Sequence, residues 1–449
     1  MIVTIRQITT ITLLFTFLVL CFGSFAPVLG TVSEKAGNQT VTVLCYMNGD
    51  NDLSEEVFYS LDLIETAGSS DNVNVIALVD GNPEWMGQYD ISWADTRMLK
   101  VEFDAQIGVI NATVLEDWEE ANLADPKTLE QFVSAAIDRY PADRYILYTF
   151  AHSQGIIDTR TFSIKQQVKN LSISNDDTSK QKMDLKQFHD AIKRGLDGRQ
   201  FDLIVLFSCL TNMVEIGYAF SDITHYFIAS QDEIRLLNEP SGSFQIRGLQ
   251  FETAIESLIE DPHINATELG RMLVDSHVDS YIHKVAVNSD SSKPAGNQLS
   301  AGMALVACKA LPILAQNLDE LARSMIAHAD DPSVLYAMRD ALNRTPRFPS
   351  FLNLEYYDLH LFVQNLRNNL QQVETIRACN AVLHRLADQI VIYERHTLDY
   401  GGKGMSIYLS NPLVPDNIYD AHQFMYSRSR FSQDTQWDEM IACFRHRLK

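Results

Sequence analysis

Five short apolar runs, rich in β-branched and aromatic residues, break off at polar or turn-forming residues, and helical patterns fill much of the chain between them. The runs are residues 40–46 (TVTVLCY), 73–79 (VNVIALV), 145–150 (YILYTF), 201–207 (FDLIVLF) and 225–230 (HYFIAS). Near-continuous apolarity over six or seven residues marks strands covered on both faces, the pattern of a parallel sheet. The first run stops at Met47-Asn48-Gly49-Asp50 and the second at Asp80-Gly81-Asn82. Between them, Val57, Leu61, Ile64 and Ala67 recur at near-helical spacing, which makes a strand–helix–strand unit. Residues 125–139 form a helix opened by Asp125 as cap and Pro126 at its first position.

Further helices are expected at 185–196, 213–220, 252–281, 301–329, 357–369 and 373–393, with an edge hairpin at 89–93 and 98–103. Residues 165–182 read as an exposed polar loop, and 404–409 (GMSIYL) as a late strand returning to the same sheet. The fold class is α/β: an open, mostly parallel sheet with helices on both faces and a mainly helical C-terminal part. The organisation expected is an export segment at 1–30, a core at 40–300 and a helical subdomain at 301–449.

With 46% apolar and 21% charged residues, the 449-residue chain suits a packed globular protein rather than a disordered or multi-span membrane one. A formal charge of -22 argues against a nucleic-acid partner, because phosphate binding needs a clustered positive field. Residues 8–29 carry no charge, 11–22 are densely apolar, and Val28-Leu29-Gly30 ends like a cleavage site. This is an export signal, making the protein secreted or periplasmic; a membrane enters only if the segment stays as an uncleaved anchor. Cys21 leaves with it, and the remaining five cysteines are an odd number without a C-x-x-C pair.

In open α/β sheets, ligands bind at the carboxyl ends of strands. Two such ends carry reactive residues. His152 follows YILYTF, and Cys209 follows FDLIVLF. On neighbouring strands, both side chains would emerge at the same sheet edge, where an imidazole can activate a thiol. A helix beginning near Thr211 or Asn212 would further favour the thiolate through its dipole. Cys45, Cys308, Cys379 and Cys443 have no comparable setting and read as structural.

The chain resembles the clostripain family of cysteine peptidases, which share the caspase-like fold. The resemblance runs through VTVLCYMNGDNDLSEE, NVNVIALVDG, the stretch ending in RYILYTFAHSQG, FDLIVLFSCLTNMVEIGYAFSDITHYFIASQDE, YYDLHLFVQNL and GKGMSIYLSNP. It implies a catalytic dyad of His152 and Cys209 and an oxyanion hole from the N–H groups of Ser153 and Cys209. Its departures are Ser153 where the family has glycine, Ile156 where it has tryptophan, and Phe207 where it has an aspartate that binds a basic substrate side chain.

Preference for Arg or Lys is therefore not expected; Asp232 and Glu233, where the family lines its specificity pocket, are the remaining acidic candidates. Some members use calcium, and Asp50, Asn51 and Asp52 offer oxygen ligands, the competing reading being a helix-capping turn. Some members also cleave themselves between the histidine and the cysteine, here the stretch with Lys165, Lys169, Lys180 and Lys182. The expected function is a secreted cysteine endopeptidase acting on peptide or protein substrates. The alternative is a weak or inactive relative that binds a peptide or a surface.

Overall fold

A computed structural model of the protein describes residues 39–86, 93–157, 174–238, 244–246, 248–287, 300–348, 355–398 and 400–449. The export segment at 1–30, residues 165–173 of the polar loop, and most of the expected strand at 89–93 lie outside them.

The apolar runs become the centre of a nine-stranded sheet. Its strands are β1 (Val41–Gly49), β2 (Val73–Gly81), β3 (Arg97–Lys100), β4 (Thr113–Asp117), β5 (Arg144–Phe150), β8 (Phe201–Phe207), β9 (Thr224–Ala229), β12 (Gly302–Ala307) and β15 (Val391–His396). The order across the sheet is β15-β12-β9-β8-β5-β1-β2-β3-β4. The five inner strands, β9 to β2, run parallel; β3 and β4 on one flank and β12 and β15 on the other pair antiparallel. Smaller pairings join β6 (Ser174–Asp176) to β7 (Gln181–Met183), β10 (Leu237–Asn238) to β11 (Phe244–Ile246), and β14 (Tyr356–Asp358) to both β13 (Arg347–Phe348) and β16 (Ser406–Tyr408).

Every residue of β1 and β5 is buried, and their side chains alternate between two cores. Val43, Cys45 and Met47 join Val57 and Phe58 of α1 (Ser54–Glu65), Phe251 of α5 (Phe251–Glu260) and Leu269 of α6 (Ala266–Val287). Leu44 and Tyr46 join Phe132 of α2 (Pro126–Arg139), Ile192 of α3 (Leu185–Gly195), Val214 of α4 (Val214–Phe220) and Leu314 of α7 (Leu311–Ala327). Each large apolar side chain so covered contributes roughly 1.5–3 kcal/mol. Asp125 caps α2 as expected, accepting from Lys127 N, with Pro126 in the first turn.

Four expectations change. Residues 301–329 were expected as helix, but GMALVA forms β12 before α7 begins; a short apolar run does not distinguish a buried strand from a helix by period alone. The helix expected over 373–393 runs as an α-helix to Arg385 and as a π-helical turn over Leu386–Ile390, after which the β-branched and aromatic residues Val391, Ile392 and Tyr393 open β15. The late strand forms at Ser406–Tyr408 but pairs with β14 in the separate three-stranded sheet, not with the main one. Residues 174–182 of the expected loop belong to the β6–β7 hairpin, whose turn is fixed by Ser179 N–H donating to Asp176 Oδ1 at 2.8 Å.

Candidate active site

Strands β5 and β8 are parallel neighbours, with Phe150 opposite Phe207. His152 and Cys209 each stand two residues past that pair, so the chain leaves two adjacent strands at one sheet edge carrying an imidazole and a thiol. Neighbouring strands are about 4.8 Å apart.

His152 Nε2–H donates to Asp52 Oδ1 at 2.5 Å. The His152 side chain is 17% exposed and that of Asp52 62% exposed. Asp52 comes from the turn between β1 and α1, where Asn51 Oδ1 accepts from Leu53 N–H at 2.9 Å. The next loop residue, Ser153, is buried, and its Oγ accepts from Gly155 N–H at 3.1 Å. Gly155 has a φ of +70°, and a Cβ there would stand 2.8 Å from Tyr356 Cε2 and 3.0 Å from Leu210 O. Tyr356 of β14 clamps the loop: its hydroxyl donates to Gln154 O at 2.7 Å and accepts from Ile157 N–H at 2.9 Å.

Cys209 is half-buried. Its Sγ accepts from Ile234 N–H at 3.3 Å. The next residue, Leu210, turns left-handed with φ 60° and donates its N–H to Asp232 O at 3.2 Å. Asn212 N–H donates to Ser230 O at 2.9 Å, so residues 230–234 lie alongside 208–212. The structure thus brings Asp232 and Glu233 beside Cys209 through the backbone. Burial raises the Asp232 carboxyl above its usual range, against the N–H of Glu233 donating to its Oδ1 at 2.9 Å. Gln231, one residue earlier, donates to Asp358 Oδ2 at 3.0 Å and accepts from Gly404 N–H at 2.9 Å, which ties this loop to the small sheet. The expected helix at 211–212 starts later, at Val214, and spans only seven residues.

Phe207, two residues before Cys209, packs with the core on the α5–α6 side of β8. Its ring, 3% exposed, meets Phe150 edge-on at 4.9 Å and His277 at 6.3 Å. It lines a narrow cleft with Glu56, Tyr59 and Glu252. Among the other thiols, burial pushes Cys45 and Cys308 up and raises Cys379 to about 12, which leaves them protonated and inert at neutral pH.

The oxygen ligands expected at Asp50, Asn51 and Asp52 separate. Asp52 engages His152, and Asn51 holds the turn, while Asp50 turns toward Asp80 of β2 and Asp176 of β6. That grouping joins residues up to 126 positions apart, and no local pattern in the sequence announces it.

A model of the clostripain family matches residues 45–444. The chain is 26% identical to clostripain of Hathewaya histolytica over 203 residues, covering 42% of this chain and 37% of that one. In structure it is similar to a secreted C11 cysteine protease of Bacteroides thetaiotaomicron bound to an irreversible peptide inhibitor, with a TM-score of 0.60, 18% identity, 90% of this chain and 99% of that one covered. It is likewise similar to an inactive zymogen C11 protease of Parabacteroides distasonis, with a TM-score of 0.57, 19% identity, and 90% and 98% of the two chains covered. A match over most of the length, on a sheet of this order, leads to one conclusion: the chain belongs to the clostripain family of cysteine peptidases.

Proposed function

We propose that the protein is an exported cysteine endopeptidase in which Cys209 is the nucleophile and His152 its base. The observation that carries this reading is the register of β5 on β8, with Phe150 opposite Phe207 and the two reactive residues just beyond. The thiol passes its proton to the imidazole, and Sγ bonds to the scissile carbonyl carbon. The oxyanion that develops accepts from the N–H groups of Ser153 and Cys209. The imidazolium returns its proton to the departing amine, the C–N bond breaks, and a thioester remains. Water, deprotonated by the imidazole, hydrolyses the thioester and restores the thiol. Asp52 acts through His152: holding Nε2–H fixes the tautomer and leaves Nδ1 as the basic nitrogen.

In the substrate pocket, Phe207 supplies an apolar wall where a basic side chain would need a carboxylate, and Asp232 with Glu233 supplies the nearby negative charge. Residues 1–30 direct export, a reading supported by the similar Bacteroides protein being described as secreted. Among the described residues, no helix is long and apolar enough to cross a membrane.

A peptidyl electrophile directed at thiols, followed by mass mapping of the adduct, tests the assignment. The adduct is expected on Cys209, with labelling and peptide hydrolysis both lost in Cys209→Ala and hydrolysis lowered by orders of magnitude in His152→Ala. Full hydrolysis by Cys209→Ala would sink the reading. Specific peptide binding without turnover would favour the binding-protein alternative.

A further inference from the structure

The Cys209 thiol is met by a segment that is itself fastened from outside the site. Ile234 presents both of its backbone groups to the sulfur. Its N–H donates to Cys209 Sγ at 3.3 Å, and its carbonyl oxygen stands 3.9 Å from the same atom, within reach of the S–H. The next residue, Arg235, is tied at both backbone groups by one phenol: Tyr281 of α6 accepts from Arg235 N–H at 3.1 Å and donates to Arg235 O at 2.7 Å. Tyr281 is buried, and burial pushes its phenol up, so the hydroxyl keeps the proton that it donates. His277 lies one turn earlier on the same face of α6, its ring centre 5.1 Å from that of Tyr281 and 6.3 Å from that of Phe207. Burial lowers His277 to about 3, so it is neutral. Helix α6 therefore braces both the strand end that leads to Cys209 and the segment that touches its sulfur.

We propose that the Ile234 N–H stabilises the Cys209 thiolate and that Tyr281 is the positioning residue that keeps this donor aimed. The inference rests on Cys209 being the nucleophile. In the neutral thiol, the S–H can point to Ile234 O, while the N–H makes only a weak bond to sulfur. When the proton passes to the imidazole, the S–H contact is lost and the N–H faces a full negative charge, where a hydrogen bond is roughly twice as strong. A donor that favours the charged form lowers the pH at which that form appears. This role differs from that of an oxyanion hole, whose donors face the substrate oxygen. The charged side chains of the segment are Asp232, Glu233 and Arg235, with Arg235 Nη2 3.6 Å from Glu233 Oε2, and His152 stands at the neighbouring strand end. Removing the Tyr281 hydroxyl deletes none of these charges; it releases only the backbone that carries the donor.

The test is the pH profile of Cys209 alkylation by iodoacetamide, read by mass mapping, in the full chain as wild type and as Tyr281→Phe, which keeps the ring and loses only the hydroxyl. The midpoint should rise by roughly one pH unit in Tyr281→Phe, and kcat on a peptide substrate should fall about tenfold below that midpoint with KM unchanged, the loss closing as pH is raised. Tyr46→Phe is the control: its buried hydroxyl donates to Leu123 O at 2.7 Å, so this variant loses a comparable bond and should keep the wild-type midpoint. A merely structural Tyr281 would lower the melting temperature in both variants and leave both midpoints in place. Should Tyr281→Phe fail to fold, the wild type still decides. In protein carrying isotope-labelled isoleucine, the Ile234 amide proton resonance should move downfield as Cys209 ionises, and should stay in place over the same pH range in Cys209→Ala. An unchanged midpoint in folded Tyr281→Phe, or an Ile234 resonance indifferent to the ionisation of Cys209, would overturn the proposal. Peptide hydrolysis by Cys209→Ala would instead overturn the choice of nucleophile, on which the alkylation midpoint and the resonance do not depend.

Discussion

Replacing Gly155 by alanine asks how tightly the histidine loop is held. Gly155 has a φ of +70°, where an L-residue costs roughly 1–2 kcal/mol. The added methyl would also stand 2.8 Å from the Tyr356 ring. That ring cannot swing aside freely, because its hydroxyl is bonded to Gln154 O and Ile157 N–H. Overpacking of this kind adds about 1–3 kcal/mol. Gly198 supplies the control: its φ is +83°, and a Cβ there would meet nothing within 4 Å. Gly198→Ala should therefore lose about 1–2 kcal/mol of stability and keep its activity, the backbone effect alone. Gly155→Ala should lose about 2–5 kcal/mol, the sum of the two effects. A shift of the loop that relieves the contact would carry His152 and Ser153 with it, and a 1 Å misplacement costs on the order of 100-fold in rate. Urea unfolding and kcat/KM on one peptide substrate, measured for both variants, decide the matter. Equal stability losses, with kcat/KM unchanged in Gly155→Ala, would show that Tyr356 does not constrain the loop.

Asp52→Asn should lower kcat by about tenfold or less with KM unchanged, because the Asp52 side chain is 62% exposed and solvent screens its charge; a change confined to KM would assign it to substrate binding instead. On a fluorogenic panel varying only the residue before the scissile bond, neutral or apolar residues should be cleaved at least about tenfold better than Arg or Lys, since Phe207 offers no charge to offset desolvation. Strong Arg or Lys preference surviving Asp232→Ala and Glu233→Ala together would contradict that account. Burial raises the Glu215 carboxyl from 4.5 to about 7, while its Oε1 accepts from Tyr408 N–H at 3.0 Å and from Tyr426 OH at 3.1 Å. A raised carboxyl stabilises the fold fully below its unfolded value, and that contribution fades as pH climbs from about 4.5 through 7. Glu215→Gln should flatten the loss of thermal stability in that window, worth about 3 kcal/mol at most, and an unchanged pH profile would refute the attribution.

The parallel centre was legible because strands buried on both faces leave near-continuous apolar runs, and the turn at each carboxyl end is where reactive residues gather. The placement of His152 and Cys209 at one sheet edge was legible for that reason. β12 and β15 were not, since GMALVA and VIYERH abut helical sequence and carry no turn signal of their own. The partner of His152 was read as a ligand or a cap because Asp52 lies 100 residues away and is joined to it only by β1 pairing with β5. Asp80 looked like part of an ordinary Asp-Gly turn, and Tyr356 stood just before the helix expected from 357; their contacts come from crossings between distant strands that no local period encodes. The orientation of Phe207 follows from alternation along β8, which sends its ring to the face of α5 and α6.

The Tyr356 clamp also has a consequence for timing. A chain that has emerged only as far as residue 300 already contains the thiol, the imidazole and the five strands that align them. It lacks the phenol that later reaches back some 200 residues to secure the backbone on either side of Gly155. Competence to cut peptide bonds would then be withheld until the last third of the polypeptide has been made and has docked. A hydrolase assembled in this order would spare its own unfinished chain and whatever machinery is carrying it.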